Sequence, residues 1–161
     1  MEDDHIFDRA EKNLERMLNW GVRHDARSSV LLGITAAMAG GLGAILPNIA
    51  CWSLWAFFLV GSSYACIIYS VVHLALSQFP RTNSPNSSLL YFGTISKRNI
   101  REFERLLREQ TQDEYLHDLS CQIHENAVLL DKKFSHTKHA MISLFVSLPF
   151  WTLSIMLLSS L

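Results

Sequence analysis

From Ser28 to Pro80 the chain contains no Asp, Glu, Lys or Arg. At about 1.5 Å per helical residue this stretch exceeds one bilayer crossing of roughly 20 residues and suffices for two. Pro47-Asn48 interrupts it near the middle, where proline removes a ladder donor and asparagine favours a turn. The pattern predicts a helical hairpin with spans near residues 28–46 and 52–76. A soluble hairpin of this size would show a polar face on each helix, and neither helix has one.

A second charge-free run, residues 140–161, predicts a third span. All 14 Lys and Arg residues fall within residues 1–27 or 81–138. Basic residues near span ends mark the cytoplasmic side, so the N-terminus and residues 81–138 are expected inside, and the Pro47-Asn48 tip and the C-terminus outside. The expected fold is an all-α membrane protein: three transmembrane helices with a cytoplasmic helical bundle. Its segments are an amphipathic helix over 1–27, the hairpin over 28–80, a cytoplasmic helical segment over 81–138 and a third transmembrane helix over 139–161. Acidic residues occupy the same two segments as the basic ones, which argues against a nucleic-acid surface. Met1 is followed by Glu2, Asp3 and Asp4, the wrong charge for a cleavable signal. Cys51, Cys66 and Cys121 fall in three compartments of this topology, so no internal disulfide is expected.

Along the chain, Ile6, Ala10, Leu14, Met17 and Leu18 recur at helical spacing up to about Arg23, and charged residues fill the other face. The charged residues of His24 to Ser28 set the mouth of the first span. Small residues from Gly33 to Ala44 allow close helix approach. Trp52 and Trp55 suit the outer interface, and His73 lies about one turn from the inner end of the second span. Residues 79–88 read as a loop, followed by an apolar patch from Leu89 to Ile95. Ile100, Phe103, Leu106 and Leu107 mark a helix to about Gln110. Thr111 and Glu114 form a capping-box pattern for the next helix. From there Leu116, Leu119, Ile123, Ala127, Leu130 and Phe134 make a coiled-coil-type seam. This helix is expected to run straight into the last span, bent at Pro149.

His117, Cys121 and His124 share a helix face with Asp113 one turn earlier, a spacing a metal could use, but no second ligand cluster completes it. His136 and His139 read as interfacial. No phosphate loop, nucleophile elbow or His-Glu-x-x-His pattern occurs, and the spans hold no acid. An enzyme is not expected, nor a cofactor.

Three short motifs carry a resemblance. Asp25-Ala26-Arg27-Ser28 precedes Leu31-Leu32-Gly33; Tyr91-Phe92-Gly93-Thr94-Ile95 follows the second span; and Tyr115, Asp118, Gln122-Ile123, Lys132 or Lys133, and Phe134 lie along the last long helix. In this order they resemble the transmembrane effectors of Pycsar, the pyrimidine cyclase system for antiphage resistance. Arg27 stands where that family usually has lysine. The resemblance covers roughly Arg23 to the C-terminus and leaves the acidic N-terminal helix unmatched.

The resemblance implies an effector in the bacterial inner (cell) membrane. It would sense cyclic CMP or cyclic UMP made by a cognate cyclase, then impair the membrane to abort phage infection. A ligand phosphate needs cationic or N–H partners, which Arg27, Lys97, Arg98, Arg101, Lys132 and Lys133 could supply. Asp25, Asp118, Gln122 and Asn126 could read ribose or base edges, with Tyr91 and Phe92 beside them. The same residues have a structural alternative, with Asp25 paired to a basic residue and Asp118 and Gln122 in helix packing. The expected partners are the cyclic pyrimidine nucleotide, the lipid bilayer and further copies of the chain. Two other functions fit the pattern: a ligand-independent, holin-like pore former, and a scaffold docking a protein through the Leu116–Phe134 seam.

Overall fold

A computed structural model describes residues 2–46, 53–79 and 88–159. The Pro47-Asn48 break, Cys51, Trp52 and most of the 79–88 loop lie outside the described residues. Within them the chain is helical, in the order α1 (Glu2–Ala44), α2 (Leu54–Gln78), α3 (Phe92–Ile95), α4 (Ile100–Glu109) and α5 (Gln112–Leu158), with no strand among the described residues. The expected cytoplasmic helix and first span are one helix, α1. His24 to Ser28 contains no proline or glycine, and Ser29 Oγ closes back onto the Asp25 carbonyl at 2.9 Å, so charge alone does not end the ladder.

α5 begins as the capping box requires. The Thr111 N–H donates to Glu114 Oε2 at 2.8 Å and the Glu114 N–H donates to Thr111 Oγ1 at 3.3 Å. The helix then continues through Pro149 to Leu158. α2 is capped by Ser53, whose hydroxyl accepts from the Ala56 N–H. Among the described residues α2 and α5 are the two helices long and apolar enough, by length and composition, to cross a membrane.

The chain divides into two compact units, each described by itself: one of residues 1–23 and 81–131, the other of residues 24–80 and 132–161. In the first unit Leu89, Leu119 and Leu130 are buried. Phe7 of α1 stacks on Tyr115 of α5, with ring centroids 6.2 Å apart. α4 buries none of its residues.

In the second unit α1 and α5 run alongside each other and α2 runs against them. Trp151 Nε1 donates to the Met38 carbonyl at 2.9 Å, Tyr64 Oη donates to Ala39 at 3.2 Å, and Ser143 Oγ donates to Cys66 at 2.9 Å. Burial on α2 follows two interleaved seven-residue rows, Ala56, Ser63, Ser70, Ser77 and Val60, Ile67, Leu74. Leu42, Val60 and Leu158 close an apolar cluster between the helices, backed by Tyr64, Trp151 and Ile155.

One register differs from expectation. Phe134 is 47% exposed, and Lys133 and Thr137 are buried instead. The buried face of α5 thus passes through Leu130, Lys133 and Thr137, because the hydroxyl and ammonium groups there find partners that a phenyl ring does not need.

Candidate functional site

The structure places the motif residues in two clusters, one in each unit. In the second unit Lys133 Nζ donates to both carboxylate oxygens of Asp25, at 2.7 and 2.9 Å. Lys133 is nearly enclosed and Asp25 about two-fifths exposed, with side-chain exposures of 11% and 42%. A carboxylate facing an ammonium in partial burial is a strong, charge-assisted contact. Lys132 and Arg27 point outward. Of the two lysines left open by the sequence, Lys133 is the inward one, and its charge is met by Asp25. The structural alternative for Asp25, pairing with a basic residue, is what the geometry contains.

Behind this pair lies a hydroxyl network that sequence reasoning missed. Thr137 Oγ1 stands 3.0 Å from His24 Nε2, 3.2 Å from Ser28 Oγ and 3.0 Å from Ser77 Oγ. Ser77 Oγ also lies within hydrogen-bonding reach of the Lys133 carbonyl, at 3.3 Å. His24 is buried and takes the Phe134 ring edge-on at 4.7 Å. The sequence signal for this network is partial: Ser28 and Ser77 belong to seven-residue recurrences of hydroxyl residues, whereas Thr137 and His24 do not. His73, about one turn from the inner end of the second span, faces His136, Nδ1 to Nδ1 at 3.1 Å, with the His139 ring 5.3 Å away.

In the first unit Asp118 and Gln122 hold the segment before α3. Asp118 Oδ2 accepts the Leu89 N–H at 2.8 Å, and Gln122 Nε2 donates to Ser88 Oγ at 3.2 Å. Ser88 Oγ also takes the Leu90 and Tyr91 N–H groups at 3.1 and 3.0 Å, a serine turn that sets up the helical start. Asn126 donates to the Gln122 carbonyl at 2.8 Å. The glycine of the second motif has a steric reason: a Cβ at Gly93 would lie 2.5 Å from the Tyr91 ring. Phe92 is 75% exposed. Two motifs therefore meet here, and Ser88 joins them.

Arg98 and Asp118 line one open groove of about 760 Å³, with His117, Glu109, Asp113 and Glu114. That volume lies within the range of small-molecule sites, roughly 300–1,000 Å³. Its charge is mostly acidic, which suits ligand groups that donate hydrogen bonds and leaves Arg98 as the lining guanidinium for an anion. Tyr91, Phe92 and Gln122 do not line it. Hydrogen bonds from the Thr111 backbone and then its side chain hold the Glu114 carboxyl below the usual glutamate range. Burial, followed by the hydrogen bond to Glu11 at 2.9 Å, raises the Tyr115 hydroxyl above its usual value. His117 and Cys121 approach to 3.7 Å, but among the described residues no three metal-ligating side chains converge.

The family model of a Pycsar effector protein domain matches residues 9–159. No curated protein and no solved structure matches the chain.

Proposed function

The chain belongs to the Pycsar effector family, a group of antiphage defence effectors that work in a cyclic-nucleotide signalling context, and on that premise we propose that it is a membrane-impairing sensor of a cyclic pyrimidine mononucleotide. The observation that carries this reading is the groove in the first unit. Its wall contains Arg98 and Asp118, and the motif residues Asp118 and Gln122 fix the backbone beside it. Arg98 receives the phosphate, and the carboxylates accept from the ribose hydroxyl and the base. A carboxylate can accept from the exocyclic amine of cytosine and equally from the N3–H of uracil, so this lining suits cyclic CMP and cyclic UMP alike.

In this reading α1 supplies a third span, the N-terminus faces the cytoplasm, the C-terminus lies outside the inner membrane, and several copies assemble. α1 and α5 each contribute residues to both units without a helix break. A nucleotide that binds one arrangement of the first unit more tightly therefore has two unbroken helices through which to bias the second. A scaffold reading has less surface to work with, because Leu119 and Leu130 of the proposed docking seam are already covered within the first unit, although Phe134 stays exposed.

The test is a thermal-shift titration of the detergent-purified chain with cyclic CMP, cyclic UMP, cyclic AMP and cyclic GMP. A ligand at about 100 times its Kd adds about 2.7 kcal/mol to the folded state. Saturable stabilisation by one of the two pyrimidines, absent with the purines and lost in Arg98→Ala, is expected. No response to any of the four by folded protein overturns the reading.

A further inference from the structure

The second unit is polar where its helices meet. Ser28 and Thr35 of α1, Ser63 and Ser70 of α2, and Ser147 and Ser154 of α5 are each 0 or 1% exposed. Close helix approach asks only for small side chains, a need that alanine or glycine meets without burying an oxygen. Thr35, Ser147 and Ser154 turn their hydroxyls onto carbonyls of their own helices. Ser63 Oγ and Ser70 Oγ are enclosed with no hydrogen-bond partner. A sealed, unpartnered hydroxyl disfavours the state that contains it, and a water or ion entering beside it would supply the missing partner.

The two ends of this row differ. At one, Ser28 and Ser77 converge on Thr137 next to the Asp25–Lys133 pair. At the other, Leu42, Val60 and Leu158 pack against one another and exclude polar groups.

From this arrangement, and resting on the membrane reading above, we infer that the interior of the second unit is the closed form of a conduction path for water and small ions. Ser63 and Ser70 gain partners when water or a partly dehydrated ion enters between the helices. The Leu42–Val60–Leu158 cluster is the barrier, a hydrophobic constriction that stays dry until the helices part. The membrane is then impaired by leakage through the protein, with the surrounding lipid left intact.

The experiment uses the full chain in vesicles of phosphatidylcholine and phosphatidylglycerol, following dissipation of a potassium gradient and release of carboxyfluorescein. Wild type is expected to pass potassium but retain the dye when cyclic CMP or cyclic UMP is added. Ser63→Ala/Ser70→Ala is expected to melt higher, bind nucleotide as before and lose most of the potassium flux. Val60→Ser is expected to leak potassium without nucleotide, and to stop leaking when both alanines are added. Full flux through the double-alanine variant, a tight Val60→Ser variant, or dye release at the rate of potassium would each overturn the path. The Val60→Ser arm needs no ligand, so its serine-dependent leak supports the path even where no nucleotide binds. Nucleotide binding without serine-dependent flux defeats the path and leaves the sensor reading standing.

Discussion

In the first unit Leu89, Leu119 and Leu130 are enclosed beside Ser88, Thr94 and Gln122, and the charged side chains of α4 face outward. In the second, hydroxyls, His24 and Lys133 are enclosed beside Leu42, Ile67 and Leu74, and large apolar side chains such as Phe58, Ile68, Phe145 and Val146 cover the outside. The first arrangement suits water, which rewards apolar burial and solvates charge. The second suits hydrocarbon, where outward apolar groups lose nothing and inward polar groups must satisfy each other. The polar contacts differ accordingly. Asp118 and Gln122 act on a short backbone segment, whereas Asp25, Lys133, Thr137 and Ser77 act chiefly on other helices. One chain thus uses polar groups locally to shape a loop and over long range to join helices.

The largest break in this contrast should come at Lys133. Lys133→Ala leaves Asp25 without its ammonium partner and should lower stability by about 2 kcal/mol, the scale of a hydrogen bond to a charged group. Lys132→Ala, one residue away and exposed, should change the melting temperature little. A melting comparison of the two checks this, and the swap Asp25→Lys/Lys133→Asp should recover part of the loss. If the neighbours behave alike, the pair is not what joins α1 to α5.

A smaller effect is expected at Gln122. Gln122→Ala removes the Nε2 donor to Ser88 and should cost about 1 kcal/mol. Its signature is local: amide exchange at Leu90 and Tyr91 should accelerate, and the helices of the second unit should keep their protection.

How far the sequence could go is clearest at two places. Charge-free runs identified α2 and the last part of α5, because a run without ionisable groups constrains the solvent as well as the fold. Thr111 and Glu114 located the start of α5 because a capping box is a local device. The merger of α1 across His24 to Ser28 was not legible, since a change in hydropathy marks a change of surroundings and not the end of a helix. The Asp25–Lys133 pair and the Thr137 network were hidden for another reason: they join residues 56 to 113 positions apart, and no single-helix pattern ranks Lys133 above Lys132. In the candidate site, the motifs named Asp118 and Gln122 but not Ser88, the hydroxyl on which their loop turns.

The smallest effect sharpens the contrast at its most solvated point. Glu114 has its carboxyl held below the usual glutamate range by Thr111. A depressed carboxylate contributes stability that is fully present above the unfolded-state value and is lost as pH falls through the folded one. Acidification through that window should loosen the first turn of α5, read as faster amide exchange at Thr111 and Glu114, while unfolding of the whole chain barely moves.

The Asp25–Lys133 pair has a further consequence for biosynthesis. The two residues are separated by 108 positions, so α1 is made long before its partner lysine leaves the ribosome. Until then Asp25 lacks its ammonium partner, and Ser28 and Ser77 lack the Thr137 hydroxyl on which they converge. The polar joint between α1, α2 and α5 therefore closes only after the start of α5 has been made, so its order of assembly follows the order of synthesis.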